Sequence, residues 1–115
     1  ADQRAGSELD PVERAVSFIA THYDRPLDVA WLAAKVSFVS PSHLGRLFRQ
    51  RLGVSPLQHL KQVRLERAGQ LLCSSADAVA AVARRVGYRN VSHFVRDFRR
   101  MFGVTPLAYR RRGCR

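Results

Sequence analysis

Apolar residues recur along this chain at spacings of three and four, and the β-branched alternation of a half-buried strand is absent, so the pattern predicts helices throughout. Val12, Ala15, Val16, Ile19 and Ala20 mark a first helix, opened by Asp10-Pro11 and ending near Tyr23 ahead of Arg25-Pro26. Val29, Leu32, Ala33 and Val36 form one face of a short helix, followed by a turn at Ser37-Phe38-Val39. Ser40-Pro41, a capping side chain before a proline at the first helical position, opens a helix that runs to about Leu52, where Gly53 supplies the stop. Residues 55–73 carry Leu57, Leu60, Val63, Leu65, Ala68, Leu71 and Leu72 and predict one connecting helix, with Ser55-Pro56 as its start. About 18 residues at ~1.5 Å each give it roughly 27 Å of length. Val79, Val82, Ala83 and Val86 mark the next short helix, then come a turn at Gly87-Tyr88-Arg89, the cap Asn90 and a helix from Val91 to Gly103.

The elements on either side of the connecting helix are two copies of one unit. Laid over residues 79–110 with a shift of 50 and no gap, residues 29–60 are identical at 13 of 32 positions, among them Ala33/Ala83, Ser42/Ser92, His43/His93, Arg46/Arg96, Phe48/Phe98, Arg49/Arg99, Gly53/Gly103 and Pro56/Pro106. Leu44/Phe94, Leu52/Phe102, Lys35/Arg85 and Ser55/Thr105 are conservative pairs. In each copy a small alanine, Ala33 or Ala83, stands four residues before the turn position Ser37 or Gly87, which lets two short helices approach closely. Each copy therefore reads as a helix–turn–helix.

Helical periodicity divides the second helix of each copy into two sides. Helix 41–52 buries a stripe of Leu44, Leu47, Phe48 and Leu52, which leaves Ser42, Gly45, Arg46 and Arg49 outward. Helix 91–102 buries Phe94, Phe98, Met101 and Phe102 and leaves Ser92, Val95, Arg96 and Arg99 outward, with Arg89 and Arg100 at the edges. Both outward faces present a small polar residue, arginine four residues later and arginine three beyond that. This is the make-up of a recognition helix, whose N-terminal half meets base edges, where arginine bonds guanine bidentately, while later residues reach phosphates. Surface arginines also simply solvate helices, but solvation does not require arginine at the same two turns of both copies. Only Asp97 is acidic in either helix, and it replaces the apolar residue that Leu47 supplies in the first copy, in a position to pair with a neighbouring arginine.

Charge strengthens this reading. The 115 residues hold 20 Lys+Arg against 9 Asp+Glu, a net charge of +11. Residues 1–28 carry six acids and three bases (−3) and residues 29–115 three acids and seventeen bases (+14), so a basic domain follows an acidic lead-in and suggests a polyanionic partner. The length allows one domain with a single core and excludes a multi-domain enzyme. Its organisation reads as a linker or tail at 1–9, a first helix–turn–helix unit with its leading helix at 10–54, the connecting helix at 55–73, and a second unit with a basic tail at 74–115. Cys73 and Cys114 are too few for a disulfide framework, Cys73 reading as a small core residue, and a reducing cytoplasm fits best. Neither membrane insertion nor export is indicated. His22, His43, His59 and His93 lack neighbours at ligand spacing and read as helix-edge or phosphate-bonding imidazoles rather than metal ligands. No cofactor motif, nucleophile–base pair or carboxylate pair is present, so the chain does not read as an enzyme.

Three stretches carry a resemblance to a known family: Arg64, Ala68, Leu71 and Leu72 in the connecting helix, the turn Val86-Gly87-Tyr88, and the close Phe102-Gly103-Val104-Thr105-Pro106 with Tyr109-Arg110. At these spacings residues 27–111 resemble the AraC/XylS family of bacterial transcription regulators. The resemblance implies an all-α DNA-binding domain of about seven helices, with two helix–turn–helix units joined by a long helix and each second helix entering one of two successive major grooves. The family's usual base-reading positions fall on Ser42, Gly45 and Arg46, and on Val91, Ser92, His93, Val95 and Arg96. Of these, Ser42, Arg46, Ser92, His93 and Arg96 are the expected readers, since Gly45 has no side chain to read with. Phosphate contacts are expected from Ser40, His43, Arg49, Arg89, Asn90, Arg99 and Arg100. The expected partners are a double-stranded DNA operator, RNA polymerase, and an effector-binding or dimerisation domain ahead of residue 1, unless the chain is a stand-alone regulator. A module that binds nucleic acid without sequence preference is the alternative.

Overall fold

The structure, a computed structural model, describes residues 10–112. They form seven helices: α1 (Pro11–His22), α2 (Val29–Leu32), α3 (Pro41–Leu52), α4 (Pro56–Ser74), α5 (Val79–Arg85), α6 (Val91–Phe102) and α7 (Pro106–Arg111). The N-terminus, residues 1–9, and Cys114 lie outside the described residues. The helix starts are set by side chains. Asp10 accepts from the Glu13 amide at 2.8 Å while Glu13 accepts from the Asp10 amide at 3.1 Å, a reciprocal capping box. Ser55 and Gln58 form another at the start of α4. Ser40, Asn90 and Thr105 cap α3, α6 and α7 through the amides of His43, His93 and Ala108. Gly53 and Gly103 end α3 and α6 in the left-handed conformation, φ 75° and 80°.

The chain divides into two compact units after Leu60, inside α4. In the first, α1 packs on α3 and on the turn between α2 and α3, with Val12, Ala15, Ile19, Leu32, Ala33, Leu44, Phe48 and Leu60 buried. The Ser37 hydroxyl donates to the Pro11 carbonyl at 2.7 Å and ties the turn to α1. Arg51, near the end of α3, pairs with Asp10 and lies 3.9 Å from Glu13.

In the second unit, Leu65, Ala68, Leu71 and Leu72 of α4 are buried along with Val82, Ala83, Val86, Tyr88, Phe94 and Phe98. Aromatic rings run through it in series: Tyr88 meets Phe94 edge-on at 5.3 Å, Phe94 lies 5.7 Å from Phe98, and Phe98 stacks on Phe102 at 4.4 Å and meets Tyr109 edge-on at 5.4 Å. Gly69 makes room for this packing. A Cβ there would stand 3.4 Å from Phe102 and 3.5 Å from the Tyr109 hydroxyl. Arg110 fastens α7 to the end of α4 by donating to the carbonyls of Leu72 at 2.9 Å and Ser75 at 3.2 Å.

The two turns differ where the repeat predicts likeness. In the second unit Gly87 takes φ 103°, and Tyr88 folds back into the core. Ser37 stands at the place of Gly87 and lacks that freedom, so α2 widens into a π-helical turn over Ala33–Ser37 and the left-handed conformation moves to Phe38, φ 59°. Phe38 is 69% exposed against 8% for its counterpart Tyr88. Its ring lies under the Arg14 guanidinium, 5.4 Å from the centroid.

Three positions expected in the core, Leu52, Met101 and Cys73, are exposed, and so is Leu57 in the apolar register of α4. Each lies in the first or last turn of its helix, where the opposing element has already turned away and periodicity no longer reports burial. Cys73 is also not a free thiol.

Candidate nucleic-acid interface

The helices α3 and α6 are held from beneath by apolar anchors, Leu44 and Phe48 in one and Phe94 and Phe98 in the other, all fully buried. That anchorage fixes what faces outward. On α3, Ser42, Arg46 and Arg49 are exposed, while His43 and Gly45 are half-buried. A Cβ on Gly45 would meet only the tip of Arg49, 3.7 Å away, so no contact within the fold requires a glycine there. On α6, Ser92, His93, Arg96, Arg99 and Arg100 are exposed, and Val91 and Val95 are half-buried between them. Val91, Ser92, Val95, Arg96, Arg99 and Arg100 line one open depression along this face. Ser40, Arg89 and Asn90, expected at phosphates, are exposed at or just before the N-termini of the two helices, where free backbone amides and the helix dipole favour anions. Ser40 and Asn90 also spend their side-chain oxygens on capping.

The two exposed arginines at equivalent positions have different neighbours. Arg46 contacts the His43 ring through Nη2, 2.8 Å from Nδ1. Arg96 donates from Nε to Asp97 Oδ1 at 3.2 Å, and so confirms the expected pairing of Asp97 with a neighbouring arginine. Asp97 also accepts from the Tyr88 hydroxyl at 3.0 Å and lies 3.6 Å from Lys61 Nζ. Burial pushes the Asp97 carboxyl up, but the Tyr88 hydrogen bond, Lys61 and Arg96 together outweigh it and hold the group below the usual aspartate value. Burial and the same hydrogen bond raise the Tyr88 hydroxyl, so it stays a donor. Sequence patterning pointed to an arginine partner for Asp97 but missed Tyr88 and Lys61, nine and 36 positions away, because periodicity reports faces and not contacts between elements.

Among the described residues no group of His, Cys, Asp and Glu is placed to hold a metal ion, and no helix is long and apolar enough to cross a membrane. His43 and His93 stand on separate units, each next to its own capped helix start.

Two helix–turn–helix units in an all-helical chain, each with an arginine-bearing second helix, define the class: a paired helix–turn–helix domain. Residues 33–112 match the family described as "Helix-turn-helix domain", and the chain belongs to that family, in its AraC-type branch of DNA-binding transcriptional regulators. A probable AraC family transcriptional regulator from Rhodopseudomonas palustris is 31% identical, with a TM-score of 0.81 over 90% of this chain and 96% of that one. The DNA-binding domain of AdpA, a global transcriptional factor solved in complex with a target DNA, is 36% identical, with a TM-score of 0.84 over 90% and 92% of the two chains. The lactose operon transcription activator of Staphylococcus xylosus is 33% identical over 73 residues, which are 64% of this chain and 26% of that protein. The chain spans about a quarter or less of the length of the curated relatives it matches.

Proposed function

We propose that this domain binds a specific double-stranded DNA operator to regulate transcription, with α3 and α6 as recognition helices in successive major grooves. The observation that carries the reading is the repeated outward face, Ser42-Arg46-Arg49 on α3 and Ser92-Arg96-Arg99 on α6, exposed in both copies while the opposite faces are buried. Ser42, Arg46, Ser92, His93 and Arg96 read base edges, arginine pairing with guanine O6 and N7. Ser40, His43, Arg49, Arg89, Asn90, Arg99 and Arg100 contact phosphates and fix the register. The solved AdpA domain, similar over nine-tenths of this chain, binds its target as a DNA complex, which supports the reading. The same reading places the chain in the cytoplasm, next to RNA polymerase, and joins it to an effector or dimerisation domain on the N-terminal side. It gives the chain no enzymatic activity.

Selection of bound duplexes from a random pool tests this. The recovered site is expected to be bipartite, with two subsites about 10 base pairs apart. It is also expected to be asymmetric, because Gly45 stands against Val95 and Ser40-Pro41 against Asn90-Val91. Inserting five base pairs between the subsites turns one to the far side of the duplex and should abolish its contribution. A pool that comes back unenriched would leave the alternative, salt-sensitive binding without preference.

A further inference from the structure

Asp97 is the one buried carboxylate among the described residues, and it stands on α6 where the first copy carries Leu47. A buried charge has to be paired and hydrogen-bonded. Two of its three partners come from outside the α6 surface: the Tyr88 hydroxyl from the turn before the helix and Lys61 Nζ from α4, both at Oδ2. They fix the carboxylate. The remaining oxygen, Oδ1, takes the Nε proton of Arg96, whose side chain is still 55% exposed.

We propose that Asp97 is a positioning residue for Arg96, holding Nε so that Nη1 and Nη2 are left as the donor pair that meets guanine O6 and N7 end-on. The proposal rests on the reading of α6 as a recognition helix and extends it to a residue that does not touch DNA. Arginine carries a large rotamer freedom, and fixing Nε before DNA arrives reduces what is lost on binding. It also removes the side-on mode, in which Nε and one Nη donate together, and so narrows the geometry to one. The first unit lacks this arrangement. Leu47 has no acceptor, and the contact Arg46 makes is through Nη2, one of the two end-on nitrogens, with the His43 ring, rather than through Nε with a carboxylate. Repeat-equivalent arginines thus present different donors, and the sharper guanine preference belongs to the Arg96 subsite.

The test is quantitative selection from a random duplex pool with the wild-type chain, Asp97→Asn, Asp97→Leu, Arg96→Ala and the Arg96→Ala/Asp97→Asn double variant. Wild type is expected to prefer guanine by roughly 5- to 150-fold at one position of one subsite. Asp97→Asn should lower that ratio by roughly 2- to 12-fold, the range of one hydrogen bond. Asp97→Leu, which installs the first copy's residue, should do the same, and neither should weaken binding to bulk DNA. In the Arg96→Ala background Asp97→Asn should leave the base profile unchanged, which a merely structural role would not do. A guanine ratio that survives both Asp97 variants while Arg96→Ala loses it would overturn the positioning role and leave the recognition reading intact. A wild-type chain with no base preference would overturn the recognition reading itself. One readout needs no variant to fold: in free wild-type protein the Arg96 Nε–H should give a resolved, slowly exchanging nitrogen-15 signal, and its absence would overturn the proposal.

Discussion

Raising the salt from about 50 to about 200 mM is expected to weaken DNA binding by roughly 10³- to 10⁴-fold. The figure follows from the outward faces of α3 and α6. If six to eight phosphates are neutralised by Arg49, Arg89, Arg99, Arg100 and others of the seventeen bases in residues 29–115, log K falls with log salt at a slope of roughly −5 to −7. Residues 29–115 carry a net +14, so the long-range attraction is screened along with the contacts. Fluorescence anisotropy of a labelled duplex across a salt series measures the slope directly. A slope shallower than about −2 would remove α3 and α6 as the DNA-binding face.

Much of the arginine-bearing face of α3 and α6 is legible in the sequence. The shift of 50 pairs arginine with arginine on both second helices, and helical periodicity sets them opposite Phe48 and Phe98. Helix starts were equally readable, because Asp10-Pro11, Ser40-Pro41 and Ser55-Pro56 each set a capping oxygen before a residue that cannot donate. What escaped depends on contacts between elements far apart in the chain. The left-handed residue is Gly87 in one copy and Phe38 in the other, where Ser37 is tied instead to Pro11, 26 positions away. The close approach at Gly69 follows from Phe102 and Tyr109, which share no local pattern with it. Leu52, Leu57 and Met101 sit in the apolar register yet remain exposed, since register gives direction but not what lies opposite.

Phe98→Ala should be the most damaging single substitution in the second unit, costing about 3–5 kcal/mol. The side chain is fully buried and its ring meets Phe94, Phe102 and Tyr109, so truncation removes three aromatic contacts and leaves a cavity between α6 and α7. Against a typical domain stability of about 5–15 kcal/mol, the loss is a large fraction of the total. Thermal unfolding followed by circular dichroism should show a midpoint lowered by at least about 12 °C. Met101→Ala, three positions on in the same helix, is the control. Met101 is exposed and should cost less than about 1 kcal/mol. Equal losses from the two would mean that the ring series does not carry the packing of α6.

One start stands apart from the others. A side-chain oxygen receives an amide at the beginning of α1, α2, α3, α4, α6 and α7, but α5 begins after Ala78, which has none to offer. With only seven residues, α5 has little cooperative length to make up the loss. Its first turn is therefore the place where the second unit frays, opening locally at a fraction of the free energy that unfolds the whole. The amide of Ala81, at the position where His93 and Ala108 are capped in α6 and α7, should trade hydrogen for deuterium sooner than those two, and a serine or aspartate at position 78 should slow it.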